Sequence, residues 1–285
     1  MARPLETLTT RTLLGIRFWD PATDRQISDG LQVSAAPETA PDLKVNAFRT
    51  ASGNFAFQNL PGMRAYEYPA ASEDLLLSSP PAPRPFIVTA TDSKSSFMPV
   101  RFRVELPLLD SSLYQPAPLT SPLGNESARF YLFSAPARPT PPGLAAIRAT
   151  LTSPDNETPA AYALLEIAEN GRRWYGLTDA RGCATILFPY PTFITALGAS
   201  PPGLPPAQQH WPLTLRVRHD PGLISTQAPN QPPTIRQIRN QPTAALWPTV
   251  AGPPTPTLSL ELTYGRELIL QTSSQSNLWI GPAPP

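Results

Sequence analysis

The chain has little of what catalytic and metal-binding sites require. Its 285 residues include two histidines and one cysteine, and only 15% of them are charged. Neither His210 nor His219 begins an H-E-x-x-H or H-x-x-E pattern, so the ligand spacing of a zinc hydrolase is missing. A Walker loop, a G-x-G-x-x-G turn and a G-x-S-x-G nucleophile elbow are also absent from the sequence. These absences exclude the enzyme classes that a local motif identifies.

The single cysteine, Cys183, cannot form an internal disulfide, and in the apolar run CATILF a buried thiol packs as a small hydrophobic residue. The first residues, MARPLETLTTRTLLG, lack the apolar stretch of a secretory signal. No segment approaches the ~18 uninterrupted apolar residues of a membrane span. We therefore expect cytoplasmic synthesis without a signal peptide, and a place in a cytoplasmic, membrane-anchored or released particle.

Charge of one sign is not in excess, because 22 Lys and Arg residues face 21 Asp and Glu residues and the net charge is +1. Such a chain has no general field that attracts a polyanion. A nucleic acid or an anionic lipid surface is therefore not expected as a partner.

Proline is abundant, with 40 residues against 15 glycines, while hydrophobic residues make up 41% of the chain. Each interior proline removes a backbone donor and costs a helix about 3 kcal/mol, so long helices are not expected. The apolar content is sufficient for a folded core. The composition predicts an all-β protein.

Short alternating apolar stretches predict strands in both halves of the chain. In the first half they are residues 13–20, 31–33, 55–57, 84–92, 97–106 and 129–133. In the second half they are residues 145–151, 162–167, 174–177, 183–188, 213–218, 258–264 and 268–270. Periodicity alone also allows a helix at residues 161–168. Short strands bounded by Pro and Gly turns are typical of β-sandwiches.

A Pro-rich segment, PARPTPP, separates the two series of strands and resembles a stiff linker. At roughly 150 residues per domain, the length of the chain also predicts two domains. The predicted division is an N-terminal arm at 1–13, a first sandwich at 14–135, a linker at 136–143, a second sandwich at 144–271 and a C-terminal arm at 272–285.

The two halves repeat one order of features, because Ile16-Arg17 and Ile147-Arg148 each precede a Pro-containing polar turn, a strand and a Gly-containing turn. The segments GIRFWDPATDRQISDGLQV, SGNFAFQNLPG and PFIVTATDSKSSFMP resemble the carboxypeptidase regulatory-like (transthyretin-like) domain family across residues 14–105, and TDARGCATILFPYP extends a weaker similarity to residues 145–190. The resemblance implies two tandem Greek-key (transthyretin/Ig-like) β-sandwiches. It carries over no peptidase motif.

Stand-alone domains of this family are similar to accessory proteins of contractile, phage-tail-like injection particles. The resemblance therefore implies a non-enzymatic structural or adaptor subunit, a baseplate, cap or attachment component, with other protein subunits as its partners. No cofactor, metal or small-molecule ligand is expected. Two alternatives stay open. One is a carbohydrate- or surface-binding module that uses Trp19, Trp174 or Trp211, and the other is a hydrolase with a dispersed Ser-His-Asp site, for which His219 beside Asp220 is the indication.

The candidate partner contacts are large apolar residues on the predicted arms and loops. The segment Leu278-Trp279-Ile280 follows a polar spacer, and such an anchor can fill a partner's pocket or fold back onto its own sandwich. The other candidates are Tyr66, Tyr68, Leu76, Tyr114 and Trp247.

Three aspartates, Asp20, Asp24 and Asp29, gather around one predicted turn. They could offer oxygens to calcium, but their spacing lacks the D-x-[DN]-x-[DN]-G pattern and its downstream Glu. Turn formation and capping are the favoured interpretation.

Overall fold

A computed structural model describes residues 10–68, 82–108, 112–114, 129–192, 208–224 and 231–282. The structure is 45% strand and 5% helix. The prediction of an all-β chain of sandwich type is therefore confirmed. The low helix content agrees with the abundance of proline, because each interior proline removes a backbone hydrogen-bond donor from a helix.

The described residues of the first half form three sheets from short strands, together with one helical turn. The elements are β1 (Gly15–Ile16), β2 (Phe18–Asp20), β3 (Arg25–Gln26), β4 (Leu31–Pro37), β5 (Val45–Asn46), β6 (Phe48–Arg49), β7 (Phe55–Ala56), α1 (Arg64–Glu67), β8 (Arg84–Asp92), β9 (Val100–Leu106) and β10 (Phe130–Tyr131). The largest sheet has the order β5-β4-β8-β9 and is antiparallel. The others are β1-β7-β6 and β10-β2-β3, in which β10 runs parallel to β2.

The second half forms two sheets that share one core. Its elements are β11 (Leu144–Thr152), β12 (Leu164–Glu169), β13 (Arg172–Leu177), β14 (Cys183–Pro189), β15 (His210–Arg218), α2 (Ile235–Asn240), β16 (Ala245–Leu246), β17 (Leu258–Thr263), β18 (Leu268–Leu270) and β19 (Leu278–Gly281). One sheet has the order β14-β11-β19-β16, with β18 also on β11, and the other has the order β13-β12-β15-β17.

Alternation along the strands determines what each face buries. In β15, Trp211, Leu213, Leu215 and Val217 are buried, whereas the residues between them are exposed. These side chains belong to the core of the second half, in which the rings of Trp174 and Phe188 are stacked 4.4 Å apart. Period-two burial is what a strand with one dry face requires.

The core of the first half extends into the second half. It is built around the aromatic side chains of the first half, and Leu164, Leu177 and Ile238 of the second half also belong to it. The two halves are therefore joined by apolar packing as well as by the covalent chain.

The Pro-rich segment between the halves is fixed to both of them. The Arg138 guanidinium is buried and forms two bonds with the Asp20 carboxylate, Nη1 to Oδ1 at 3.0 Å and Nη2 to Oδ2 at 2.6 Å. From the other side, Arg148 donates to the carbonyl oxygens of Pro136 at 2.8 Å and Arg138 at 3.1 Å. We call this arrangement of Asp20, Arg138 and Arg148 the interdomain brace.

Three local expectations differ from the structure. The apolar stretch 13–20 is divided at Arg17 into two strands rather than one. The helix alternative at residues 161–168 is wrong, because Leu164–Glu169 pairs with strands on both sides. Residues 272–285 were expected to be an arm, yet Leu278–Gly281 pairs with β11 and β16 inside a sheet.

Candidate functional site

Strand β9 and helix α2 form the walls of a groove of about 450 Å³ between the two halves. We call it the arginine groove. The residues that determine its chemistry are Phe102, Arg103, Glu105, Tyr114, Arg236 and Arg239.

The β9 wall follows from the alternation in VRFRVEL. Phe102 and Val104 are buried in the core, and Arg103 and Glu105 face solvent. The Arg103 guanidinium lies 3.0 Å from Oε2 of Glu38 and 2.7 Å from Oε1 of Glu105. Because these pairs are about half exposed, each contributes at most about 1 kcal/mol. They do neutralise the charge of Arg103.

The α2 wall is held at both ends by polar contacts. Thr234 caps the helix in a reciprocal capping box with Gln237. Buried Gln241, just past the last turn, donates to the carbonyl oxygens of Tyr162 at 2.9 Å and Ile238 at 3.2 Å. The buried Ile238 side chain belongs to the core of the first half. The helix is therefore a fixed platform for Arg236 and Arg239.

Tyr114 forms the aromatic part of the groove. Its ring is stacked on Phe102 at 5.0 Å, with an angle of 17° between the ring planes. Its backbone N–H donates to the Gly15 carbonyl oxygen at 2.7 Å. Burial raises the pKa of the Tyr114 phenol, and the nearby Arg239 charge acts in the opposite direction. The phenol is therefore neutral at pH 7, and its ring presents an apolar face to the groove.

The two helix arginines give the groove its charge. Arg236 is exposed and Arg239 is half-buried, and neither forms an ion pair with a carboxylate of the described part of the chain. Arg103 already has two carboxylate partners, Glu38 and Glu105, so the positive charge of the groove comes from the guanidinium groups of Arg236 and Arg239. An unpaired guanidinium beside an aromatic ring is suited to binding a carboxylate.

A second groove, of about 640 Å³, lies beside the end of β15 and contains His219 and Asp220 together with Ser153 and Thr158. Burial lowers the pKa of His219, and the Asp220 carboxylate acts in the opposite direction. Oδ1 of Asp220 accepts the Gly222 N–H at 2.8 Å, and the Thr158 hydroxyl donates to Asn156 at 2.6 Å.

The dispersed hydrolase site is not assembled among the residues that the structure describes. A triad requires a hydrogen bond between the nucleophile and the base. The hydrogen bonds of the described chain join no Ser or Thr hydroxyl to the His219 ring, and Asp220 serves its own turn. At His210, Nδ1 contacts the exposed Glu261 carboxylate at 3.1 Å and the Thr263 hydroxyl at 3.2 Å.

The aspartates that could have offered a calcium site are separated, and each pairs with a different arginine. Asp20 pairs with Arg138 and also accepts the Ala22 N–H at 3.0 Å, so its predicted turn role is confirmed. Asp24 pairs with Arg129 at 2.6 Å. Asp29 pairs with Arg49. Burial raises the pKa of Asp24, but the hydrogen bonds that its carboxylate accepts from Arg129 and Tyr131 lower it, and the pKa lies below its ordinary value.

The C-terminal candidates pack within this chain. Leu278 and Ile280 are 0% and 1% exposed and belong to the core of the second half, which is the second of the two possibilities that the sequence left open. Trp279 is half-buried, and its carbonyl oxygen accepts the backbone N–H of half-buried Trp247 at 3.1 Å. Whether Trp247 and Trp279 also contact a partner stays a prediction.

The remaining candidates lie in the first half. Tyr66 packs against the core, and the Tyr68 hydroxyl donates to Asn59 at 3.3 Å. Leu76 lies outside the described residues. Of the seven candidates that the structure describes, Tyr114 is the one that lines the arginine groove.

The tryptophans of the carbohydrate-binding alternative do not form an exposed platform. Trp174 and Trp211 are core residues, 4% and 2% exposed. The ring of half-buried Trp19 is covered by the Arg129 guanidinium, which lies 4.2 Å from the ring centre. The interpretation is therefore wrong for Trp174 and Trp211, and for Trp19 it stays a prediction.

The sequence did not indicate Arg236 and Arg239 as functional residues. The available signal was the local pattern T-I-R-Q-I-R, in which Thr234 and Gln237 fit a capping box and the two arginines are three residues apart. That pattern predicts a short helix but not the strand that faces it.

The described residues contain neither a cluster of metal-ligand side chains nor a membrane-spanning helix. Wherever the structure describes the chain, His, Cys, Asp and Glu side chains do not gather in a group of three that could hold a metal. The described helices are too short or too polar to cross a membrane.

Comparisons with known proteins found similarity at the level of solved structures. No family model and no curated protein matches the chain, so its resemblance to carboxypeptidase regulatory-like domains stays a prediction. The TIE protein of Bacillus anthracis is 9% identical with a TM-score of 0.24, and the match covers 89% of this chain and 44% of that one. The minor pilin GBS52 of Streptococcus agalactiae is 9% identical with a TM-score of 0.21, covering 95% and 98%.

A third structure is a variant of the shaft pilin SpaA from Lactobacillus rhamnosus GG. It is 7% identical with a TM-score of 0.19, and the match covers 98% of this chain and 99% of that one. The chain thus spans less than half of the TIE protein and nearly the full length of the two pilins. TM-scores of this size carry no argument about function.

Proposed function

We propose that the protein is a non-enzymatic structural or adaptor subunit that holds other proteins in a larger assembly. The observation that supports this proposal is the interdomain brace, which fixes the Pro-rich segment to both halves through Asp20 and Arg148. A chain whose two halves meet at a fixed joint can hold partners on both halves at a set distance and angle.

The energetics of the brace favour a role in orientation. Burying an ion pair costs desolvation energy, so such a pair adds little stability over apolar packing. The Asp20 and Arg138 side chains are each only 10% exposed, and hydrogen bonds from Ala22 and Thr23 satisfy the remaining lone pairs of the carboxylate. The geometry of these bonds specifies one arrangement of the linker.

The finer assignment to a contractile, phage-tail-like particle, as a baseplate, cap or attachment component, remains a proposal that rests on the sequence resemblance. Cytoplasmic synthesis is a separate proposal from the sequence. Tube, sheath or baseplate proteins in the purified complex would identify a particle of this kind.

The test is purification of the tagged full-length protein from its native cells under non-denaturing conditions. We expect recovery in a complex with other protein chains at a fixed ratio. The Asp20→Ala variant should give less complex, because the joint loses its fixed orientation, whereas Asp29→Ala, which removes an exposed ion pair, should match the wild type. Recovery of the wild-type protein as a free monomer alone would contradict the proposal.

A further inference from the structure

The outer edge of β9 carries backbone groups that no described strand uses. The Glu38 N–H donates to the Pro85 carbonyl oxygen at 2.9 Å. The backbone polar groups of Pro85, and of every second residue of β8 after it, therefore point toward β4. In an antiparallel ladder the residues between them must then bond to β9. These are Phe86 and Val88, whose partners are Val104 and Phe102.

The intervening residues of β9, Arg103 and Glu105, therefore direct their N–H and C=O groups away from β8. Among the described residues, β9 is the last strand of its sheet, and the one bridge that they place on its outer edge joins Arg101 to Thr234. Beyond that bridge, the edge at Arg103 and Glu105 runs along the arginine groove. Open strand edges accept a further strand.

The other groups in the groove match an extended acidic peptide. Side chains of an added strand alternate, so one set points along the α2 wall and meets Arg236 and Arg239. Both guanidinium groups lack a described carboxylate partner, and the capped helix fixes the backbone positions from which their side chains extend. Tyr114 offers an apolar surface for a neighbouring side chain of the peptide.

We propose that an extended, carboxylate-bearing segment of a partner protein binds in the arginine groove by adding a strand to the outer edge of β9. Its backbone pairs with Arg103 and Glu105, its carboxylates bind Arg236 and Arg239, and an apolar side chain packs on Tyr114. This inference rests on the proposed function and names the chemistry of the partner and the way it is bound.

The test is an NMR titration of the 15N-labelled full-length protein with a synthetic peptide of alternating Glu with Val and Thr. We expect shifts of the Arg103 and Glu105 amides and of the side-chain Nε signals of Arg236 and Arg239. The double variant Arg236→Ala/Arg239→Ala should weaken binding at least about tenfold, as loss of hydrogen bonds to charged groups predicts. Arg172→Ala, which removes an exposed arginine of β13, is the matched control and should bind as the wild type.

Two further probes separate strand addition from simple charge attraction. A peptide of the same sequence with N-methylated backbone amides should not bind, and a Lys-for-Glu peptide should bind at least about tenfold more weakly. Absence of shifts at Arg103 and Glu105, or equal binding of the N-methylated peptide, would overturn the proposal. So would tighter binding of a thymidine oligonucleotide in the groove. None of these results changes whether a native complex is recovered, so the two proposals fail independently.

Discussion

At the residue scale, Gly182 is constrained both by its backbone and by its neighbours. Its φ is +77°, and a Cβ there would lie 2.4 Å from the Leu151 carbonyl oxygen, which is backbone and cannot move aside. The Gly182 carbonyl oxygen also accepts the Leu151 N–H at 2.8 Å, so the turn is attached to β11.

We predict that Gly182→Ala lowers the free energy of unfolding by more than about 2 kcal/mol, because a left-handed backbone costs an alanine about 1–2 kcal/mol and the clash adds to it. Gly171 is the matched control, since its φ is +80° and its Cβ position is open. Gly171→Ala should lose only the backbone part, about 1–2 kcal/mol. Urea unfolding measures both, and equal losses would contradict the clash.

His219 makes stability depend on pH. Burial holds the pKa of the folded-state ring below its ordinary value of 6.5. Well above pH 6.5 the ring is neutral in both states, and it adds no pH dependence there. As the pH falls below that value, the unfolded chain takes up a proton that the folded chain does not, so the free energy of unfolding decreases.

The prediction is that His219→Asn flattens the slope of the free energy of unfolding between about pH 7 and pH 5. Urea titrations at several pH values measure this slope. His210→Asn removes the other histidine and should leave the contribution of His219 in place. An unchanged slope in His219→Asn would show that the ring is protonated equally in both states.

For single residues, the sequence predicts local contacts but not distant partners. The predicted turn role of Asp20 followed from Pro21 and the neighbouring polar residues, and it is confirmed by the Ala22 contact. Its partner Arg138 is 118 positions away. Turn chemistry is local and can be read from neighbours, whereas a pairing over that distance depends on how the halves pack, which periodicity does not encode.

At the scale of elements, β19 tests the difference between a docking arm and a core strand. Leu278 is fully buried in the core of the second half. We predict that Leu278→Ala costs about 2–5 kcal/mol of unfolding free energy, as removal of a buried leucine does. Ile269, which lies on β18 of the same sheet and is 60% exposed, provides the control, and Ile269→Ala should change stability by less than about 0.5 kcal/mol.

Equal stabilities of the two variants in thermal or urea unfolding would contradict the placement of β19 in the core. The sequence allowed both outcomes for Leu278-Trp279-Ile280, because a short apolar run after a polar spacer is the same for an anchor and for a last strand. The segment becomes a core strand because β11 has an edge that pairs with β19 in parallel. That edge exists only in the folded sheet, so the sequence pattern does not reveal it.

Most strands were predicted because their signal is local. Residues 84–92, 97–106 and 213–218 alternate in sequence, and β8, β9 and β15 occupy them. The two helices among the described residues were not predicted, since four- and six-residue helices are too short for a periodic pattern. Helix α2 in particular depends on the Thr234–Gln237 capping box and on packing of Ile238 into the other half.

At the scale of the whole molecule, the interdomain brace should be costly to break. We predict that Asp20→Ala costs about 3–5 kcal/mol, because it leaves the Arg138 guanidinium buried without its counter-charge. Asp29→Ala is the control, since its pair with Arg49 is 52% and 69% exposed and should contribute no more than about 1 kcal/mol. Urea unfolding gives both values.

Small-angle scattering of the same variants reports on the joint. Wild type and Asp29→Ala should give the same radius of gyration, whereas Asp20→Ala should give a larger one if it remains folded. If Asp20→Ala is as stable and as compact as the control, the brace does not fix the two halves.

The arginine groove could not be predicted from the sequence for the same reason as the brace. Its parts come from residues near 103, 114 and 236, which no local pattern connects. Tyr114 alone was a candidate, as an aromatic residue in a Pro- and Ser-rich stretch, and its stacking on Phe102 became visible only with the fold.

Hydrogen exchange of the protein alone and within its purified native complex tests whether this chain works by holding other proteins. We expect slower exchange in the complex for the amides of β9, at Arg103 and Glu105, and for helix α2, with little change in β13. Identical exchange along the whole chain in the two states would contradict it.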